Sequence, residues 1–580
     1  MTVFRASGRA ALVALGLGIG LAGADVGPVA AQTNRPIRLI PGGDAMPAPE
    51  RVERRVSSEG AMPTIERDTA GILDFASGAL PATLWTGSTR PTIDPLLAAA
   101  TAGRYAALRD LSRRALASPA NPPAAEPGET PADFAALRAA ALLRLGETDA
   151  ARLLATRVLR FQAEPTAHAV LREALFLAPD PGPACDQVRA TIDLAAQPDW
   201  ARAQVVCQAI AGDLARARLG LSLQREQKLP ADDWLDRLVA LLDGVPRALD
   251  GGKAEFRPHH LPLFAAAKTA PPVPALATLP PGHVRAIASN PGFPIETRLR
   301  AAEAATAAHG ADGRLLAGLY AAVPLQPRES ADPLAFATQE TGPRGRAALY
   351  HHVRTKPAGP ERATAFAQAV QVAEKRGAGR AFRRAAIDLV REIPAEIETA
   401  EHAVLVARTL LIERRSAEAT RWYDTLSAGA RSAGAGRSDG AALLGPLLFL
   451  AGVPLPEMGD PQGLLAWRAL QERLDPPRAA ARIRLLRSLL EALGSPALEL
   501  ETQGAAAPAI PASPLLAALE QAAQARLMGE TILRAAAAMA EPGLRENAAA
   551  IAVTIRALDT AGLGDEARGL ALEAALAAGL

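Results

Sequence analysis

The sequence predicts an all-α protein, an irregular α-solenoid of stacked helical hairpins. Three observations carry that expectation. Val, Ile, Thr, Tyr and Phe are sparse beside Ala, and aromatic residues make up only 4%, so a sheet lacks its usual building material. Apolar residues recur three and four apart from about residue 92 onward, the spacing of one helix face. Short turns, several centred on Gly, separate those stripes.

The elements follow in order. Phe134, Leu137, Ala141 and Leu145 form one stripe, Gly146 ends it, and Ala151, Leu154, Ala155 and Val158 form the next. The arrangement returns at Ala203, Val206, Cys207 and Ile210, then Gly212, then Ala217 and Leu221. It returns again at Ile551, Ile555 and Leu558, then Gly562, then Ala567, Leu570, Ala571 and Ala574. A fourth case runs from Leu411 through Arg414-Arg415-Ser416 to Ala419, Trp422, Tyr423 and Leu426, with Trp422 and Tyr423 expected in the core. Gly at the turn permits a left-handed residue where one helix stops, and a small residue five positions later lets two backbones approach. An acidic residue often stands near the second start (Asp149, Asp213, Glu418, Asp565), where the helix dipole favours negative charge.

On these turn and Ala positions the hairpins resemble tetratricopeptide-type units in a degenerate form. The strings Val205–Gly212 and Ala557–Leu580 also resemble secreted helical proteins of alphaproteobacteria. Some of those carry an antifreeze-glycopeptide label, which Ala richness alone produces. The resemblance implies export and helical repeats, and no activity.

Composition bounds the rest. With 580 residues, 49% hydrophobic and 21% charged, the chain has material for a large core, which excludes wholesale disorder. Lys plus Arg is 63 against 61 for Asp plus Glu, so no basic stripe for nucleic acid is expected. Lys occurs only at 228, 253, 268, 356 and 375; coding bias is the first reading of this Arg excess, an Arg-rich phosphate site the second.

Residues 1–31 read as a signal peptide. Arg5 and Arg9 precede the apolar run Ala10–Ala24, and Val29-Ala30-Ala31 offers a cleavage site before Gln32. The run is shorter than a membrane span, no Cys follows it, and no adjacent Arg pair precedes it, so a Sec-type route to the periplasm is expected. No later segment is apolar enough for an integral span. Residues 32–70 are Pro-rich and expected to be a flexible tether, and 71–91 a capping segment against the first helices. Helical repeats are then expected over 92–250, 283–428 and 441–580. A Pro-rich connector at 251–282 and a Gly/Ala/Ser linker at 429–440 would divide them.

Cys185 and Cys207 are the only thiols. An even count in an exported chain favours a bridge. A continuous hairpin about Pro198 would offset them by roughly 6 Å, more than a disulfide tolerates, unless Cys185 sits at a bent-in helix start; two buried free thiols are the alternative.

Catalytic signatures are missing from the sequence: no G-x-S-x-G, S-x-x-K, H-E-x-x-H or phosphate loop. His259-His260 could supply metal ligands, but a surface loop is the expectation. His351-His352 are adjacent on a helix and point about 100° apart. Asp232-Asp233 read as helix-start charges. No catalytic, cofactor or metal residue is therefore assigned. The function expected is a non-enzymatic scaffold or adaptor for a protein or peptide partner, without nucleic acid. The alternatives are a cell-wall-active enzyme on an α-superhelix, as in lytic transglycosylases, or a structural spacer.

Overall fold

The computed structural model describes residues 69–580, except 101–102, 126–130, 192–196, 250–254, 273–275, 277, 310–312, 434–437, 456–460, 496–499 and 501–509. The expected signal peptide and all but the last two residues of the tether lie outside the described residues. Among these, 28 α-helices and one 3-10 helix are found and no strand. The sole bridge, between Thr89 and Ala124, is isolated.

In chain order the helices are α1 Arg90–Ala98, α2 Ala106–Ala117, α3 Pro131–Arg144, α4 Thr148–Leu159, α5 Pro165–Phe176, α6 Gly182–Ala190 and α7 Pro198–Ile210. Next come α8 Leu214–Glu226, α9 Asp233–Leu242, α10 His260–Ala266, α11 Pro281–Ser289, α12 Ile295–His309, α13 Gly313–Ala322, α14 Pro327–Ala331 and α15 Pro333–Gln339. Then follow α16 Pro343–Arg354, α17 Pro360–Lys375, α18 Gly379–Ala385, α19 Ile387–Arg391, the 3-10 helix Ile397–His402, α20 Ala403–Ile412, α21 Ser416–Ser432 and α22 Asp439–Leu450. The last are α23 Pro461–Leu474, α24 Pro476–Ala492, α25 Pro514–Gln524, α26 Met528–Ala540, α27 Ala548–Thr560 and α28 Gly564–Ala577.

The Pro residues explain how so many short helices start. Pro165, Pro198, Pro343, Pro360 and Pro514 each occupy a first helical position, where the missing N–H has no partner to lose and φ is already helical. Pro-rich stretches therefore read as loops but partly encode helix starts: Pro131 opens α3 and Pro281 opens α11. Within 251–282, α10 is a buried helix, with Leu263 and Phe264 fully inaccessible. Helix α21 runs on to Ser432, into the stretch expected as linker.

Helix ends follow one geometry. At Gly146, Gly212 and Gly562 the backbone is left-handed, with φ of 82°, 82° and 83°. In each case the next residue's N–H reaches back five positions: Glu147 to Leu142, Asp213 to Gln208 and Leu563 to Leu558, all at 2.9 Å, the Schellman closure. Arg414 makes the same turn at φ 55°, as does Arg526. The residues five further on, Ala151, Ala217, Ala419 and Ala567, are fully buried. Trp422 and Tyr423 lie in the core.

Sequential helices pack in pairs, α3 with α4, α7 with α8, α20 with α21 and α27 with α28. Residues 62–580 form one packing unit because the array also meets itself: α1 and α2 pack on α26, and α2 packs on α28. The segment 71–91 joins both ends. Buried Trp85 meets Phe134 edge-on at 5.5 Å and covers Gly529 of α26, whose N–H donates to the Leu84 carbonyl at 3.0 Å. Ion pairs Arg114–Glu566 at 2.6 Å and Arg104–Glu546 at 3.0 Å cross the same seam. Fully buried Arg138 donates to the carbonyls of Ser118 and Ala70, tying the segment to α3.

Cys185 and Cys207 form a disulfide with Cα atoms 5.5 Å apart. The expected offset disappears because α6 spans only Gly182–Ala190. It places Cys185 in its first turn and does not run on toward Pro198.

A Cβ at Gly529 would lie 2.3 Å from Trp85 Cε3, so Gly529→Ala should cost more than about 2 kcal/mol by overpacking. Gly562→Ala meets open space and should cost only the roughly 1 kcal/mol of a left-handed non-Gly residue. Denaturant titration checks both. Cys207→Ser should lose roughly 3 kcal/mol for the loop closed by a separation of 22 residues, read by the same titration with and without reductant.

Candidate functional site

Two clusters of ionisable side chains gather inside the array. The first is Asp232, His259 and His260, whose donor atoms all lie within 4.8 Å of one another. The surface-loop expectation for the His pair is overturned: His259 is 5% exposed and His260 inaccessible. Aromatic packing buries them, with Phe256 edge-on to His260 at 5.5 Å and Phe176 edge-on to His259 at 6.4 Å. Asp232 caps α9, accepting from Leu235 N–H at 3.1 Å, as the helix-start reading expects. It also sits 3.3 Å from His259 Nε2 and 3.0 and 3.1 Å from His260 Nε2.

Proton bookkeeping decides what this cluster does. Arg257 N–H donates to His260 Nδ1 at 3.0 Å, so in the neutral ring the proton must sit on Nε2, which donates to Asp232. A metal ligand needs a bare Nε2 and normally donates outward through its other nitrogen. Here that nitrogen is already an acceptor, so binding a cation would require the imidazolate. Arg202 Nε, 3.8 Å from Asp232, adds a resident positive charge. The geometry makes the cluster a buried hydrogen-bond node joining α7, α9 and α10.

The electrostatics agree. Burial pushes the Asp232 carboxyl up, but hydrogen bonds from His259 and His260 outweigh it and hold it well below the usual carboxylate range. Burial lowers His259 to about 4 against the pull of Asp232. His283, nearby and against Phe256 at 5.9 Å, is lowered to about 4 by burial and then by His260 and His259. Neither of its ring nitrogens has a hydrogen-bond partner among the described residues.

The second cluster lies where the first, middle and last helices meet. A recess of about 240 Å³ is lined by Arg104 and Tyr105 before α2, Arg380, Arg383 and Arg384 on α18, Ile412 on α20, and Glu573, Leu576 and Ala577 on α28. The spacing 380, 383, 384 puts three guanidinium groups on one helix face. Four cations thus face one carboxylate. Glu573 accepts N–H donors from Ala106 at 2.6 Å and Ala107 at 2.8 Å, which leaves it capping α2. Arg104 pairs with Glu546 and Arg383 with Glu374. Arg384 Nε lies 3.3 Å from Glu413 without hydrogen-bond alignment. Arg380 makes no hydrogen bond or ion pair among the described residues. Burial, then repulsion from Arg384, holds it below the usual arginine range. Arg408 on α20 is lowered to about 10 by burial and then by Arg383, which adds positive potential.

Two further clefts lie beside the recess and share lining residues with it in turn. One, of about 390 Å³, shares Arg384 and Ile412 and adds Arg109, Arg113 and Glu147. The next, of about 550 Å³, shares Arg414 and adds Phe449, Asp565 and Arg568. None of the predicted site residues lines these clefts; Gly146, Ala151, Gly212, Ala217, Ala419, Gly562 and Ala567 build hairpins, and Cys185 and Cys207 clip α6 to α7. The sequence signal for the recess is the basic run Lys375, Arg376, Arg380, Arg383 and Arg384.

Compared with known proteins, the chain matches no family model, no curated sequence and no solved structure.

The buried imidazoles predict a pH response. His259 and His283 fall from an ordinary 6.5 to about 4 on folding. Between those values the unfolded chain binds protons that the folded chain does not. Stability is therefore full above about pH 6.5 and declines toward about pH 4, by roughly 2–3 kcal/mol per His. Melting temperatures taken from pH 7 to pH 4.5 should fall, and His283→Phe should flatten that fall.

Proposed function

We propose that the chain is exported and serves as a non-enzymatic α-solenoid scaffold or adaptor, with tetratricopeptide-like hairpins, holding a protein or peptide partner in the cell envelope. Residues 1–31 act as the Sec-type signal peptide in this reading, and the periplasm is the destination. The Cys185–Cys207 disulfide fits an oxidising compartment. Among the described residues no helix is long and apolar enough to cross a membrane.

The observation that carries the reading is the set of three neighbouring clefts at α2, α18, α20 and α28. Helical repeats bind extended partners along such surfaces. Its walls mix guanidinium groups with Ile412, Leu572 and Leu576, which suits a polypeptide with acidic and aliphatic groups. The cell-wall enzyme reading needs a carboxylic acid free to donate a proton. The carboxylate of the recess, Glu573, instead accepts main-chain N–H groups with both oxygens.

The test begins with fractionation. The protein should leave with the osmotic-shock fluid, its N-terminus at Gln32. A photo-crosslinker at Arg113 in the groove should then capture one stoichiometric partner, while one at exposed Leu219 on α8 should not. Equal capture at both positions, or release of fragments from purified peptidoglycan, would overturn the reading.

A further inference from the structure

We infer that the arginine-lined recess binds a carboxylate, that of the carboxy-terminal residue of the polypeptide held in the groove; the identity of this ligand rests on the adaptor reading above. Its floor and walls come from Arg380, Arg383 and Arg384 of α18, Arg104 at the rim, and the aliphatic side of α28 with Ile412.

Charge is the first step. Four guanidinium groups surround the recess with one carboxylate, and that carboxylate is committed to Ala106 and Ala107. Arg380 has no hydrogen-bonding or ion-pair partner among the described residues. Arg383 and Arg384 keep carboxylates of their own, Glu374 and Glu413, and add positive charge beside it. Leaving such a group unsatisfied is costly, and an anion supplied from outside would relieve Arg380. Guanidinium groups match a planar carboxylate through paired N–H bonds.

Shape selects among anions. The volume of about 240 Å³ lies below the range of about 300–1,000 Å³ that encloses a drug-sized ligand, so it suits one terminal group. Ile412, Leu576 and Ala577 line the space beside the cations. A bare phosphate would leave that apolar wall wet, whereas an aliphatic residue with its own α-carboxylate covers the wall and reaches the cations together. The neighbouring clefts give the preceding residues of a peptide a path outward.

The experiment is isothermal titration calorimetry on the mature full-length protein with N-acetyl-leucine, N-acetyl-leucinamide, octanoate and inorganic phosphate. N-acetyl-leucine should bind, and the neutral amide should bind at least about tenfold more weakly, the loss expected for charge-assisted hydrogen bonds. Arg380→Gln should weaken N-acetyl-leucine by about tenfold or more. Without ligand it should melt at or above the wild-type temperature, because the guanidinium it removes is unpaired. The acid–amide comparison on the wild-type chain decides alone if that variant does not fold.

No heat from N-acetyl-leucine up to about 10 mM, equal binding of acid and amide, or undiminished binding by a folded Arg380→Gln would overturn the site. Tighter binding of octanoate or phosphate than of N-acetyl-leucine would overturn the peptide terminus as ligand. A captured partner that ignores both Arg380→Gln and loss of its own carboxy terminus would sink this inference and leave the adaptor reading. Binding of N-acetyl-leucine without any captured partner would do the reverse.

Discussion

The packing of the array turns on one interaction between residues far apart in sequence. Helix α2 begins at Tyr105, which offers its own N-terminus no side-chain cap. Its first N–H groups would be orphaned in a part-buried setting, and Glu573, more than 460 positions later, accepts from Ala106 and Ala107. A carboxylate at a helix start satisfies donors and opposes the dipole at once. Around it the seam has little freedom. Tyr105 donates to the Arg545 carbonyl at 2.6 Å, and Trp85 lies over a residue that must be Gly. The neighbours of both ends therefore depend on one another, as they would not in a linear stack whose repeats contact only adjacent repeats.

The same carboxylate sets up the contrast between the two charged clusters. At Asp232 two imidazoles and a helix start share one carboxylate in a buried node. At the recess Glu573 is already engaged, Arg383 and Arg384 pair with Glu374 and Glu413, and Arg380 is left without a hydrogen-bond or ion-pair partner among the described residues. A buried polar group that is satisfied rigidifies a core, and one that is not marks a place where something else belongs. The node joins three helices of the fold, and the recess is the proposed binding site.

Local features of the chain were legible where a few neighbouring residues sufficed. The left-handed turns at Gly146, Gly212 and Gly562, with Ala151, Ala217 and Ala567 buried five positions on, follow from backbone sterics and helical period. Trp422 and Tyr423 could be assigned to the core from their stripe. His259 and His260 could not, because nothing in a Pro-rich stretch announces that Phe256, Phe176 and Asp232 will close over them. The start of the linker expected from Gly429 was displaced for a related reason: small residues are compatible with helix or loop, and α21 extends to Ser432. The Arg cluster was visible only as a basic run, whose meaning needs the opposite wall.

By itself, then, the sequence determined the class and some joints of this protein: helices from composition and periodicity, several of their ends from Gly, and the two Cys residues as a possible pair. Tertiary structure decided which ends meet, that the short α6 allows the bridge, that two His residues are interior, and where four cations gather about one engaged carboxylate. The division has a physical cause. Propensity and capping act over a few residues and are written locally, whereas burial and charge balance depend on residues hundreds of positions apart that only the folded chain brings together.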